Sequence, residues 1–251
     1  MPDVLRDLAP TGVLRAGINF GNPVLAQRDP VTGQPRGVSV DLARELGRQL
    51  DVGVELLTFD AAGKLFDALK SGAWDVAFMA IDPVRSAEVI FTAPYLIIEG
   101  TYMVRAESTF ATVEDVDREN VRIAIGSGGA YDLFLSRTLK FAQLVRRPTG
   151  QAALELFVND GLEAAAGVRQ ALVQFAQAHR GLRVMDGRIM VIEQAMATPK
   201  PRLGGARYLS SFLEDLKRNG FIAEALKRSG QADATIAPVA DHHPSDNVGP
   251  G

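Results

Sequence analysis

Residues 75–81 (DVAFMAI) lead directly into residues 82–95 (DPVRSAEVIFTAPY), and the first of these segments decides the fold. Its near-continuous apolar run is typical of a strand that is buried on both faces of a parallel sheet. The segments upstream alternate between the two-residue hydrophobic period of strands and the 3.6-residue period of helices. They predict a strand over residues 12–20, a helix over 40–50, a strand over 52–59 and a helix over 61–71. Strand and helix in alternation predict an α/β fold.

A second α/β unit is predicted from residues 121–126 (VRIAIG), after a charged stretch over residues 112–120 that indicates a surface helix or loop. The new strand runs through a Ser-Gly-Gly turn into a helix, much as the first unit begins. The chain closes on two amphipathic helices, predicted over residues 208–217 and 221–228. Little order is predicted beyond Gly230.

Composition argues against several classes of function. The 251 residues carry a net charge of −3 with acids and bases interspersed, so nucleic acid is not an expected partner. No apolar run approaches the roughly 20 residues that a membrane span needs. The chain has no cysteine, and His242 and His243 lie in a polar tail that favours a solvated segment over a metal site. We therefore expect no cofactor, no metal and no membrane span, and we expect a monomer.

Four short motifs occur in order along the chain. They are GVSVDLA at residues 37–43, KSGAWDV at 70–76, DPVRSAEVIFTAPY at 82–95, and residues 213–223 with their KRNGF turn. Each motif is weak alone. Together, over residues 12–228, they resemble the type II periplasmic (extracellular) solute-binding proteins of family 3, the amino-acid-binding proteins of ABC transporters.

The resemblance implies a type II periplasmic binding protein fold, in which two lobes, each a mostly parallel sheet flanked by helices, are joined by two hinge strands. Applied to this sequence, the family's layout predicts residues 1–104 plus 196–235 as lobe one and residues 105–195 as the inserted lobe two. Residues 236–251 are predicted to form a flexible tail. The hinge strands fall at residues 100–105 and 191–197. This insertion accounts for the pattern that restarts at the second unit.

The same resemblance implies a protein that closes its lobes on a small ligand and delivers that ligand to an ABC permease or a sensor. Family members of this kind are periplasmic. Residues 1–7 (MPDVLRD) lack the basic start and apolar stretch of a secretory signal, so a cytoplasmic location stays open as the alternative.

Arg85 is the principal candidate for ligand binding. The family places an arginine here on the ligand carboxylate, where a planar guanidinium bonds both oxygens; the alternative is a surface arginine after a turn. Ser127, Gly128 and Gly129 join a strand to a helix, and such a junction presents N–H groups to an anion. The turn is equally explained by a need for glycine. Tyr131 follows in the first helical turn.

Other candidates lie at the carboxyl ends of predicted strands, where open α/β sheets bind their ligands. Asn19, Phe20 and Asn22 end the first strand, and Phe20 either stacks on the ligand or belongs to the core. Ala80 and Asp82 lie shortly before Arg85, at the end of the predicted strand over residues 75–81, and are further candidates for ligand binding.

Departures from the family pattern narrow the predicted ligand. Family members usually have small hydroxyl residues before the arginine, whereas positions 77, 78 and 80 are apolar here. The family's aspartate for a ligand amino group falls on Val168 or Arg169, so an ammonium would be buried unpaired, which is costly. We therefore predict a carboxylate without a free α-amino group, such as a dicarboxylate or aromatic acid held by Arg85 and Arg169. Arg169 is equally explained as an exposed residue in the first turn of a helix.

Glu99 and Glu193 interrupt apolar segments and either reach the cleft floor or face solvent beside the hinge. They permit a second interpretation, an enzyme of the cyclohexadienyl or arogenate dehydratase kind on the same fold. One of these acids would then be a general acid with a pKa raised by burial. The sequence contains no nucleophile–base pair, so a binding protein without catalytic residues is the main prediction.

Overall fold

The computed structural model describes residues 2–240. The helices in this range are α1 (Pro2–Leu8), α2 (Val38–Leu50), α3 (Ala62–Asp67), α4 (Pro83–Ser86), α5 (Ala130–Thr138), α6 (Gly150–Asn159), α7 (Arg169–Ala178), α8 (Leu203–Arg218) and α9 (Phe221–Arg228). Single 3-10 turns occur at Ala68–Ser71 and Val113–Val116. None of the described helices is long and apolar enough to cross a membrane.

The strands are shorter on average than the helices. Their bounds are β1 (Val13–Asn19), β2 (Gln27–Arg28), β3 (Pro35–Arg36), β4 (Gly53–Phe59), β5 (Val76–Ala80), β6 (Val89–Phe91), β7 (Leu96–Arg105), β8 (Arg122–Gly126), β9 (Gln143–Arg147), β10 (Ala164–Val168), β11 (Leu182–Val184), β12 (Met190–Pro199) and β13 (Thr235–Ile236).

One continuous sheet runs through the molecule in the order β4-β1-β5-β12-β7-β10-β8-β9, with β6, β11 and β13 paired alongside. Its two outer parts are parallel: β1 pairs with β4 and β5, and β8 pairs with β9 and β10. Between them, β12 and β7 pair in antiparallel fashion. This arrangement confirms the α/β prediction. We call the part with β4, β1, β5 and their helices lobe one, and the part with β10, β8, β9 and their helices lobe two.

Helices cover both faces of each parallel part, which explains why β5 is apolar along its whole length: all five of its residues are buried. In lobe one, α2, α8 and α9 pack on one face, and the α3 side is filled by Leu65 and Trp74. Leu42, Leu46 and Leu50, which recur every four residues along α2, are buried. Lobe two has separate clusters on its two faces.

β7 and β12 pass between the lobes. Residues 96–100 of β7 pair with residues 190–194 of β12, after which β7 continues along β10 and β12 continues along β5. The crossing of β12 overlaps the predicted hinge at 191–197. The crossing of β7 precedes the predicted hinge at 100–105, because residues 100–103 are already paired within lobe two.

Residues 231–240 are more ordered than the sequence predicts. β13 pairs with β7, and the N–H of Ala237 donates to the carbonyl of Tyr95 at 3.0 Å. The N–H of Ala240 donates to the Glu214 carboxylate at 2.8 Å. These contacts correct the expectation of little order beyond Gly230. The remainder of the predicted tail, with its histidine pair, lies outside the described residues.

Asp75, just before β5, ties three distant segments together. Its fully buried carboxylate accepts from Arg15 Nε and Nη2 at 2.9 and 2.8 Å, and from Arg202 Nη1 at 2.7 Å. Arg202 precedes α8, and the same Nη1 donates to the carbonyl of Asp7 in α1 at 2.7 Å. The ion cluster therefore ties α1 and the start of α8 to β1 and β5 at one end of the sheet.

Replacement of this carboxylate is expected to destabilise lobe one. Asp75→Asn leaves two arginines without their shared anion, and loss of one partner of a buried pair costs about 3 to 5 kcal/mol. We expect the lower end, because both guanidiniums reach solvent. Urea unfolding measures the change, and Asp215→Asn, which removes an exposed pair with Arg218, is the control with an expected loss below about 1 kcal/mol. Equal losses in the two variants would contradict the assigned role of Asp75.

Candidate functional site

A cavity of about 40 Å³ lies between the lobes at the carboxyl ends of β1, β5 and β10. Both lobes and the crossing strand β12 contribute to its wall. Its main side chains are Asn19, Asn22 and Arg85 from lobe one, Tyr131 and Val168 from lobe two, and Gln194 from β12. Seven of the predicted site residues line this cavity, namely Asn19, Asn22, Ala80, Arg85, Ser127, Gly129 and Tyr131.

Arg85 is the charged residue at the centre of this wall. It lies on α4, a single turn that begins because Asp82 accepts from the N–H of Val84 at 2.8 Å and Pro83 occupies the first helical position. The Arg85 residue is only 1% exposed. Its Nη1 donates to the carbonyl of Ala80 at 2.9 Å and its Nη2 to the carbonyl of Gly128, in lobe two, at 2.8 Å.

The electrostatic state of Arg85 follows from these partners. Both are neutral carbonyls, and Nε is buried without a hydrogen-bond partner in the described part of the chain. Burial lowers the pKa of Arg85 to about 10, and the charge of Asp82 opposes part of that shift. The guanidinium thus remains a cation at neutral pH, with a hydrogen-bond donor still unused.

Backbone N–H groups of the turn at residues 127–129, which the sequence predicts to face an anion, are hydrogen-bonded within the protein. The N–H of Gly128 donates to Asp132 Oδ2 at 2.8 Å, and the N–H of Ser127 donates to the carbonyl of Arg147 at 2.8 Å. Asp132 is held in turn by Arg146 Nε at 3.0 Å. These two N–H groups are therefore used within lobe two, and the turn contributes its Gly128 carbonyl to Arg85 instead.

Direct contacts between the lobes close the cavity on one side. Arg137 Nη2 of lobe two lies 2.9 Å from Asp82 Oδ2 of lobe one. A methyl group on Gly63 would lie 2.9 Å from the carbonyl oxygen of Ser127 and 3.2 Å from Cα of Gly128. Gly128 itself has φ of +71°. The first turn of α3 and the turn after β8 can approach this closely because both positions lack a side chain.

The end of β1 also lines the cavity. Asn19 Oδ1 accepts from the N–H of Gly21 at 2.8 Å, and Asn22 Oδ1 accepts from the N–H of Val24 at 3.1 Å. These local turns hold both asparagines at the cavity wall, as predicted. Phe20 instead lines the adjoining groove, with the Arg28 guanidinium 4.5 Å from its ring centre.

Gln194, which sequence reasoning missed, takes the place predicted for Glu193. Gln194 is 4% exposed, lines the cavity, and has an Oε1 atom without a hydrogen-bond partner in the described residues. Glu193 is exposed and does not line the cavity, because neighbouring side chains of a strand point to opposite faces. Alternation from buried Ile192 was the available signal.

Arg169 also lies outside the cavity, contrary to its predicted place beside Arg85. Its Nε donates to Glu99 Oε2 at 3.0 Å, and its other nitrogens donate to the carbonyls of Met185 and Gly187. Arg188 Nη1 binds the other oxygen of Glu99 at 3.2 Å. Burial raises the pKa of Glu99, but the hydrogen bonds from Arg188 and Arg169 outweigh it and leave that pKa below its ordinary value. Glu99 is therefore an ionised structural partner of the two arginines.

The remaining cavity wall is neutral. Burial raises the pKa of Tyr131 to about 12, and the neighbouring Asp132 charge adds to the shift, so the phenol stays protonated at neutral pH. Among residues 2–240, no Asp or Glu lines the cavity. No group of three or more potential metal-binding side chains occurs in that range either. Arg85 is thus the charged group that a bound molecule meets.

Comparison with known proteins gives the family. The model of the bacterial extracellular solute-binding proteins, family 3, matches residues 14–232. This chain belongs to that family. A curated relative, the arginine-binding periplasmic protein of Mannheimia haemolytica, is 24% identical over 161 residues, which cover 62% of this chain and 64% of the relative. The chain therefore matches somewhat less than two thirds of that relative's length.

Two solved structures have the same fold. A mutant of ArgBP from T. maritima has a TM-score of 0.78 at 22% identity, and the match covers 90% of this chain and 99% of that one. The ancestral amino acid-binding protein AncCDT-1, a precursor of cyclohexadienyl dehydratase, has a TM-score of 0.75 at 21% identity, with 89% and 97% covered. At these identities the structures support the two-lobed fold alone.

Proposed function

We propose that the protein is a non-catalytic solute-binding protein that captures a small organic carboxylate between its lobes. The observation that carries this proposal is Arg85, which is buried with only carbonyl partners among residues 2–240. A buried charge is costly unless it is paired. A carboxylate matches the planar guanidinium and would supply the missing negative charge.

The second part of the proposal is that the ligand lacks a free α-amino group. The aspartate of an amino-acid binder is expected at Val168 or Arg169. Of these two residues Val168 lines the cavity, and the cavity wall has no acid among the described residues. The nearby acids are already engaged, Asp82 with Arg137 and Asp132 with Arg146. A ligand ammonium would lose its water without gaining an anion.

Closure is proposed to be a hinge motion in the β7–β12 crossing, at residues 96–100 and 190–194. The lobe limits would then be close to 1–104 plus 196–235 and 105–195. Arg85, Gly128 and the ligand would be brought together as the lobes meet, so the ligand shifts an open–closed equilibrium. By analogy with its family, the protein would act as a periplasmic monomer and deliver its ligand to an ABC permease or a sensor.

A dehydratase-like activity remains the second candidate on this fold, but the geometry does not favour it. Glu193 is exposed outside the cavity, and Glu99 is bound by two arginines. Neither acid is positioned to protonate a molecule on Arg85, since a general acid must lie within hydrogen-bond reach.

Substitution of Arg85 tests the proposal directly. Matched pairs are screened by thermal shift and calorimetry: propionate with alanine, succinate with aspartate, and 3-phenylpropionate with phenylalanine. We expect the simple carboxylate of at least one pair to bind more tightly, and Arg85→Gln to weaken it by about 30-fold or more. Arg6→Gln, at a largely exposed arginine, is the control. Tight binding of an α-amino acid without any response to its deaminated partner would contradict the proposal.

Introduction of an acid at Val168 tests whether the lack of a carboxylate there disfavours ligands with an α-amino group. Val168→Asp places a carboxylate at the cavity wall, where it can pair with a ligand ammonium. We expect the affinity for the amino-acid member of a pair to rise relative to the simple carboxylate by about tenfold or more. Val168→Asn offers the same helix-capping position without the charge and should leave the ratio unchanged. An unchanged ratio in Val168→Asp would count against this assignment.

Addition of one methyl group tests closure. Gly63→Ala leaves Arg85 intact but places Cβ against the Ser127 carbonyl and Gly128. We expect ligand-induced compaction, measured by small-angle X-ray scattering, to be reduced and the affinity for the best carboxylate to fall. Gly53→Ala is the matched control, because a methyl group there meets nothing within 4 Å. If Gly63→Ala compacts as the wild type does, α3 and the turn at Gly128 do not meet in the bound state as proposed.

A further inference from the structure

The cavity around Arg85 is small for a complete organic ligand. Its volume is about 40 Å³. One water molecule needs roughly 10 to 15 Å³ of such space, so the cavity accommodates about three groups of that size. A carboxylate and its first carbon fill it, and the rest of a larger ligand has to leave through an opening in the wall.

An open groove continues from this cavity. It has a volume of about 620 Å³ and shares Gly21, Tyr131, Gly150 and Val168 with the cavity wall. We call it the α7 groove, and we define it by Phe20, Leu154, Ala171, Leu172 and Phe175. A molecule anchored on Arg85 would have to pass these shared residues to reach the face of α7.

The α7 groove is suited to apolar groups. Leu154, Leu172 and Phe175 form its floor and are largely buried, and Ala171 is half-buried beside them. Phe20 forms the facing wall from lobe one. Contact with such side chains stabilises an apolar group in proportion to the area that it removes from water.

The groove lining lacks the second arginine that was predicted to hold a dicarboxylate. Arg169 is turned away and bound to Glu99 at 3.0 Å. Among the described residues, the lining contains Asp60, paired with Lys64 at 2.9 Å, and His179, but no lysine or arginine. Arg28 is the nearby cation, and its guanidinium lies 4.5 Å from the Phe20 ring centre. A second carboxylate in this groove would thus find no arginine placed to bind it as Arg85 binds the first.

We propose that the ligand is a monocarboxylate with an apolar aromatic or branched-alkyl body, which places its carboxylate on Arg85 and its body in the α7 groove. This inference rests on the proposed function and deepens it by naming the class of ligand. The groove is then the part of the site that determines specificity, whereas Arg85 is common to all carboxylates.

The test compares three probes by calorimetry, with displacement titrations for the weak ones: propionate, glutarate and 3-phenylpropionate. In the wild type, we expect 3-phenylpropionate to bind about tenfold or more tightly than propionate, as burial of an aromatic ring implies. Ala171→Asp puts a charge into the groove and should bring this ratio close to one. Val173→Asp adds the same charge to an exposed position of α7 outside the groove and should preserve the ratio.

The outcomes separate the two proposals. Glutarate binding as tight as that of 3-phenylpropionate, or an unchanged ratio in Ala171→Asp, would overturn the groove assignment while Arg85-dependent binding still stands. Absence of Arg85-dependent binding for all three carboxylates would overturn the proposed function itself. A reduced ratio in Ala171→Asp, with Val173→Asp like the wild type, supports both.

Discussion

The burial of the Arg85 charge is the constraint on which the site depends. Removal of a guanidinium from water is unfavourable, and here two backbone carbonyls compensate for part of that cost. One carbonyl, that of Ala80, belongs to the same lobe, and the other, that of Gly128, belongs to the opposite lobe. Satisfaction of this charge is therefore coupled to the distance between the lobes. A ligand anion that neutralises the charge would favour the same closed arrangement.

The neighbours of Arg85 show how a short segment connects local structure to closure. Asp82 caps the single turn of α4 with one oxygen and binds Arg137 of lobe two with the other. It thus fixes the helix that carries Arg85 and also joins the lobes. The contact between Gly63 and Gly128 brings the backbones close enough for the Gly128 carbonyl to reach the guanidinium. These contacts join the two lobes beside Arg85.

Most of the fold could be predicted because its signals are local. The apolar run of β5, the leucine stripe of α2 and the bounds of α9 follow from hydrophobic periodicity. Gly72 ends the helical turn before it in the left-handed conformation, with φ of +63°, which glycine adopts readily. β9 was missed because its sequence QLVRR has little alternation at the sheet edge. β13 was missed because two residues form a strand only through pairing with distant β7.

The site was harder to predict than the fold, since side-chain direction depends on tertiary structure. Gln194 faces the cavity and Glu193 faces solvent, because alternation along β12 places Gln194 on the same face as buried Ile192. Arg169 occupies the expected place along the chain, yet Glu99 from β7 draws its guanidinium away. That pairing across about 70 positions of sequence leaves no local trace.

This displacement of Arg169 decides the charge of the site. Arg169 is bound to Glu99 outside the cavity, and Asp82 and Asp132 are engaged by other arginines, so Arg85 is the charged group left at the cavity wall within residues 2–240. Such a wall complements one negative charge. A zwitterion would bring an ammonium with no partner, and a dianion would bring a second carboxylate with no cation. A singly charged acid satisfies Arg85 and leaves no other charge to desolvate.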